Sequence, residues 1–122
     1  MSVSNDELLS NIKRQAKRLS KSINIPLRKS QSILSMSVYQ CQSWNDLRDS
    51  LKSKSLDNQL VLLTALQPNS DVFLYKLLNE NLANISFHIK EYTVENLPTN
   101  QIEKIIVNVF GIEHSDFIRK IQ

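Results

Sequence analysis

Residues 4–23 read SNDELLSNIKRQAKRLSKSI, and this stretch decides the fold class. At about 100° per residue, Leu8, Leu9, Ile12, Ala16, Leu19 and Ile23 fall within one sector of about 100°, the width of a core-facing helical stripe. Lys13, Arg14, Lys17, Arg18 and Lys21 take the opposite side. Ser4 and Glu7 have the spacing of a capping box, and Val3 and Leu8 that of a hydrophobic staple. The stretch is predicted to be an amphipathic helix that seals a core with one face and presents a nearly acid-free basic ridge with the other.

Ile25-Pro26 ends this pattern, because the residue before a proline avoids the α region. A second helix is predicted from Leu27 to Tyr39, with Leu27, Leu34, Val38 and then Cys41 along one side. Ser30, Ser32, Ser35 and Ser37 make it a poor free helix, so tertiary packing must support it. After a turn at Gln40-Cys41-Gln42, Ser43 is a good N-cap for a third helix, with Asp46 at the third position as a variant of the capping box. Trp44, Leu47 and Leu51 share a face of that helix, and Trp44 is expected to be largely buried. Helix, turn, helix, turn, helix reads as a compact trihelical unit over residues 1–54.

Within this unit, Ala16-Lys17-Arg18-Leu19, Ser30-Gln31-Ser32-Ile33-Leu34, Tyr39 and Ser43-Trp44-Asn45-Asp46-Leu47 resemble a short helical module. That module stands at the head of some bacterial glyoxalase-like proteins and in plasmid or phage proteins of unknown role. The resemblance covers about a third of the chain and rests on packing residues. It implies a shared fold and a bacterial or mobile-element origin more than a shared activity. The glycine usual before the aromatic is absent, Tyr39 and Trp44 are spaced more widely, and no glyoxalase domain follows, so no catalysis is carried over.

The second half is also read as helical. Ser53, Lys54 and Ser55 form a polar joint. Leu60-Val61-Leu62-Leu63 fits a strand or a buried helix by period alone, and Ala65, Leu66 and the lack of turn glycines favour helix. Gln67-Pro68-Asn69-Ser70 is a loop, with Ser70 expected to cap a helix built on Leu74, Leu77 and Leu78. Ile85, Phe87 and Ile89 alternate with Ser86, His88 and Lys90, which leaves residues 85–94 open between helix and extended chain. Beyond Leu97-Pro98, Asn100 with Glu103 forms a capping pair for a helix carrying Ile102, Ile105, Ile106 and Val109, closed by Gly111. Ser115 is expected to cap a final helix with Phe117, Ile118 and Ile121.

Gly111 is the one glycine in 122 residues. Tight hairpins lean on glycine because φ > 0 is cheap only there, so a sheet-rich fold is hard to build from this chain. The sequence therefore predicts one all-α domain, residues 1–122, in which the trihelical half 1–54 packs on a helical half 55–122. The length suffices for a modest core without disulfides or metals. A single cysteine, Cys41, excludes an internal disulfide and suggests a reducing compartment. The first residues lack a signal pattern. The longest apolar run, around Leu60 to Leu63, is far short of the roughly 20 residues that span a bilayer. A cytoplasmic protein with no membrane partner is expected.

Charge divides the two halves. Residues 1–54 carry ten basic side chains against four acids, and residues 55–122 carry five against eight, so a surplus of six faces a deficit of three. Such asymmetry points to an anionic partner for the first half. Nucleic acid is the favoured partner, contacted through Lys13, Arg14, Lys17, Arg18, Lys21, Arg28 and Lys29. Lys and Arg side chains, hydroxyls and helix N-termini are the usual donors to phosphate, and the first helix and the start of the second offer all three. The alternative is a protein–protein adaptor or inhibitor, encoded by a phage or mobile element, whose ridge meets an acidic protein surface.

Base readout finds less support. The third helix offers Asn45, Arg48 and Lys52, but Asp46 and Asp49 lie beside them. Ile106, Phe110, Gly111 and Ile112 fit part of a helix-turn-helix pattern, yet Lys120 stands where an apolar residue belongs, and Glu113 and Asp116 make the following helix start acidic. A plain C-terminal helical hairpin describes that segment better. Aromatic residues make up 7% of the chain, too few for a single-strand stacking platform.

No catalytic residue, metal ligand set or cofactor is expected. His88 and His114 are isolated, Cys41 has no CxxC partner, and one glycine cannot make a phosphate-binding loop. Cys41 reads as a packed thiol rather than a nucleophile, since free cysteine is among the residues most readily buried. The chain is read as a non-enzymatic binding or regulatory protein.

Overall fold

A computed structural model of the chain describes residues 5–53, 59–92 and 97–122. Six α-helices and two tighter or wider helical segments account for the regular structure, and no strand occurs among the described residues. Helix α1 (Asn5–Ile23) places Asp6 and Glu7 in its first turn and Lys21 in its last, the arrangement its dipole favours. Ile12, Ala16 and Leu19 are fully buried on the expected face. Ser4 and Val3, assigned to the capping box and staple, lie outside the described residues. The helix ends where Asn24 takes a left-handed conformation (φ 54°) and the Ile25 N–H reaches back to the Ser20 carbonyl at 3.1 Å.

Helix α2 (Leu27–Ile33) runs into a π-helical segment, Leu34–Val38. The packing that this serine-rich stretch requires comes from α1. The buried Ser30 hydroxyl lies 2.8 Å from the Ala16 carbonyl and 2.7 Å from the Leu27 carbonyl, sharing one proton between them. Both residues at that crossing are small, which lets the backbones approach. Widening to π geometry turns Leu34, Val38 and Tyr39 into the core together. The segment closes with Gln40 at φ 55° and a bond from the Cys41 N–H to the Ser35 carbonyl at 2.8 Å. Leu27, expected on the inner side, is instead exposed at the rim.

Helix α3 (Trp44–Ser53) starts as the sequence suggests. Ser43 Oγ accepts the Asp46 N–H at 3.0 Å, and the Asp46 carboxylate accepts the Gln42 N–H at 3.0 Å. Leu47 and Leu51 are buried, but Trp44 is only partly so. As the first residue of the helix it packs on the edge of the core rather than inside it. Of the polar joint at Ser53, Lys54 and Ser55, the last two lie outside the described residues.

The ambiguous Leu60–Leu63 stretch forms a 3₁₀-helix, Gln59–Ala65. Leu60, Leu63 and Leu66 recur every third residue and all are buried, which matches three residues per turn. Asn11 of α1 holds this segment by donating from Nδ2 to the Thr64 carbonyl at 3.1 Å. The loop that follows is closed by Ser70, whose hydroxyl accepts the Gln67 N–H at 2.8 Å. Ser70 is thus a turn residue, and Asp71 is the N-cap of the next helix.

Helix α4 (Val72–Lys90) continues through the alternating segment. Tyr75, Leu78, Leu82, Ile85 and Ile89 step by three and four residues along its buried stripe, so Ile85 and Ile89 belong to a helical period and Phe87 points outward, 63% exposed. Helix α5 (Thr99–Val109) buries Ile102, Ile106 and Val109 and half-buries Ile105. Its N-cap is Pro98, without a side-chain cap, so the Asn100–Glu103 pair does not form. Gly111 ends it at φ 77°, as the spacing predicts. Helix α6 (His114–Ile121) starts one residue before Ser115, with Glu113 as N-cap. Its Phe117 stacks on Tyr75 with ring centroids 6.0 Å apart, and Lys120 rests its Nζ 4.7 Å above the Tyr75 ring. That contact gives Lys120 a packing role at a position where the helix-turn-helix pattern has an apolar residue.

One cluster of buried side chains joins all these elements. The two halves of the sequence share it intimately: α5 packs against both long helices, α1 and α4, while α1 also carries α2, α3 and the 3₁₀ segment.

Candidate nucleic-acid interface

The ridge forms on α1 because its apolar positions are consumed by α2 and α5, leaving the opposite side to solvent. Lys13, Lys17 and Lys21 are exposed and recur every fourth residue, a line about 12 Å long at 1.5 Å per residue. Arg14 is exposed beside them and is held in place locally: its Nη2 donates to Asn11 Oδ1 at 2.5 Å and its Nη1 to Ser10 Oγ at 3.4 Å. Arg28 and Lys29 are exposed in the first turn of α2. None of these six is in an ion pair among the described residues, where Arg119 with Asp116 is the pair found.

Arg18 departs from this group. It is half-buried, and its Nη1 donates to the Val109 carbonyl at 3.0 Å. Val109 closes α5, so the guanidinium sits at the negative end of that helix dipole. The guanidinium also lies against the open face of Gly111, about 3.1 Å from where a Cβ would stand. Burial, and then the neighbouring charge of Arg14, hold its pKa below the ordinary value. Arg18 is a structural cation that ties α1 to α5, and the free ridge is the other six.

The hydroxyls expected at the start of α2 are also committed. Ser30 faces inward to Ala16, and Ser32 Oγ points back to the Arg28 carbonyl at 3.4 Å. On α3, Arg48 is half-buried with its Nε enclosed and unpartnered, while Asp46 and Asp49 are exposed. An anionic groove would meet carboxylates there, so base readout by α3 stays disfavoured.

Two amides on α1 are buried without any local pattern that marks them. Asn11 is 4% exposed and Gln15 is 1% exposed. Gln15 Oε1 accepts the hydroxyl of the fully buried Tyr39 at 2.5 Å, and burial raises the Tyr39 pKa far above its ordinary value against the opposing effect of that bond. Both amides lie between the apolar stripe and the ridge, a border position where helical spacing assigns no side.

Other candidate chemistry is scattered. Cys41 is half-buried, and its thiol pKa is raised first by burial and then by the charge of Asp46, so it holds its proton at neutral pH. His88 sits edge-on to Phe87 at 5.7 Å. Among the described residues, no group of three or more His, Cys, Asp or Glu side chains converges, and no helix is long and apolar enough to cross a membrane. No family model matches the chain, and no curated protein or solved structure matches it.

Proposed function

We propose that this chain is a small non-enzymatic nucleic-acid-binding or regulatory protein that contacts the phosphate backbone through Lys13, Arg14, Lys17, Lys21, Arg28 and Lys29. The observation that carries the reading is the exposed line of Lys13, Lys17 and Lys21, with no acid among them and no ion pair to the described residues. An array of free ammonium groups on a rigid helix repels itself, and a polyanion removes that repulsion while releasing its own condensed counterions. Phosphate contacts of this kind position a protein without reading sequence.

The test is the salt dependence of binding to labelled duplex and single-stranded DNA and RNA. Engagement of about five of the six cations on duplex DNA gives a log–log slope near −4.5. Reversing Lys13, Lys17 and Lys21 to Glu should remove about three of those contacts and flatten the slope to about −2 or abolish binding. The fold should survive, because these side chains point away from Ile12, Ala16 and Leu19. Absence of binding to every nucleic acid at low salt would remove the reading and leave an acidic protein surface as the partner of the ridge.

A further inference from the structure

Below the ridge, α1 forms one wall of a cleft of about 120 Å³. Asn11, Arg14, Gln15 and Arg18 line it at i, i+3, i+4 and i+7, and the 66–68 segment and Phe110 close the other side. No carboxylate lines it. Arg14 and Arg18 are one turn apart on α1, and the charge of Arg14 adds to burial in lowering the Arg18 pKa. Their mutual repulsion is unrelieved by any ion pair among the described residues.

The hydrogen bonds already made tilt the cleft toward donors. Asn11 spends its carbonyl oxygen on Arg14, and Gln15 spends its own on Tyr39. What the Gln15 amide retains are N–H groups. Arg18 commits one N–H to Val109, and Arg14 commits two to Asn11 and Ser10. Each guanidinium has five N–H groups in a planar fork, so most of them have no protein acceptor. Arginine forks of this kind match the oxygen spacing of phosphate.

We infer that the Arg14–Arg18 cleft is a binding site for a single phosphate group. The cleft has room for a tetrahedral oxyanion and opens to solvent beside Arg14, so a larger ligand can extend outward from there. The same chemistry is offered by free inorganic phosphate and by the terminal phosphate of a nucleotide. This site shares Arg14 with the ridge but none of its lysines, since Lys13, Lys17 and Lys21 do not line it.

Titration of ¹⁵N-labelled protein with inorganic phosphate, at ionic strength held constant with chloride, tests it. Saturable shifts should appear at the Arg14 and Arg18 Nε–H and the Asn11 and Gln15 side-chain amides. Arg14→Gln should weaken binding by about tenfold, the loss expected for a charge-assisted bond. Arg14→Lys, which keeps charge without the fork, should fall between. Both variants should stay folded, losing at most the bonds from Arg14 to Asn11 Oδ1 and Ser10 Oγ, and Lys13→Gln and Lys17→Gln, which do not line the cleft, should change affinity less than Arg14→Gln does. A second arm uses adenosine 5′-monophosphate: tighter binding than phosphate assigns the site to a nucleotide terminus, and equal binding assigns it to free phosphate. Linear, unsaturated shifts, shifts centred on the three lysines, or affinity indifferent to Arg14→Gln would overturn the proposal.

Discussion

Lys17 and Arg18 are neighbours of like charge, yet the structure gives them opposite duties, and replacing each by Met separates them. Met keeps the length of either stem and removes only the charged head. In Arg18→Met the Val109 carbonyl loses a charge-assisted donor at 3.0 Å, and α5 loses the cation at its C-terminus. Hydrogen bonds to charged groups are worth about 1.5–3 kcal/mol, and because Arg18 is half-exposed the low end applies, about 1.5 kcal/mol. The dipole effect is part of that figure and is not added to it. For a chain of 122 residues the loss corresponds to a Tm lower by about 6 °C. Lys17→Met touches nothing in the fold and should stay within about 2 °C of the parent, the range of ordinary surface substitutions. Thermal melts followed by circular dichroism, with urea titrations at one temperature, measure both. Salt gives an independent check. The Arg18→Met deficit should persist in molar sodium chloride, because a partly buried bond is little screened, whereas any gain from relieving repulsion at Lys17 should vanish there. Equal Tm shifts for the two variants would refute the assignment of Arg18 to the fold and return it to the ridge.

Two further outcomes follow from the region around the π-helical segment. Ser37 is 1% exposed and its Oγ has no hydrogen-bond partner, so Ser37→Ala should leave stability unchanged or raise it by up to about 1 kcal/mol, read from the urea midpoint. The Cys41 thiol and Tyr39 phenol both have pKa values raised by burial, which means that the folded state holds their protons more firmly than the unfolded state. Their contribution is therefore full at neutral pH and is lost as pH rises. Stability should begin to fall above the ordinary Cys41 value of 9.0 and fall further above the ordinary Tyr39 value of 10.0, and Cys41→Ala should remove the first of these steps in urea midpoints measured between neutral and strongly alkaline pH.

The helical class and the burial of Ile12, Ala16, Leu19, Leu47, Ile106 and Phe117 were legible because a 3.6-residue period writes the core onto the sequence. Gly111 was legible for a similar reason, since a lone glycine after an apolar helix has few other uses. Local rules failed where tertiary partners set the outcome. Ser70 has the chemistry of an N-cap, but its hydroxyl is taken by Gln67 and Ala65, and the helix starts one residue later. Ile85, Phe87 and Ile89 alternate like a strand, and only the continuous stripe back to Tyr75 shows which two of them are inside. The 3₁₀ period of Leu60, Leu63 and Leu66 was hidden inside a run that is apolar at nearly every position.

The candidate site divides along the same line. Charge and exposure of Lys13, Lys17 and Lys21 follow from residue type and helical phase alone. The duty of Arg18 is fixed by a carbonyl 91 positions away, which no local pattern on α1 can report. Withdrawing Arg18 from the ridge also changes the meaning of Arg14. It stands one turn from Arg18 and beside the lysine line, so it is the one side chain shared by the ridge and the cleft below it. Charge reversal at Lys13, Lys17 and Lys21 therefore probes the ridge alone and Arg14→Lys probes the cleft, because the ridge needs only a positive charge at that position whereas the cleft needs the fork. A protein that loses polyanion binding but keeps phosphate affinity in the first variant, and weakens for phosphate but keeps polyanion binding in the second, carries two separable anion sites on one helix.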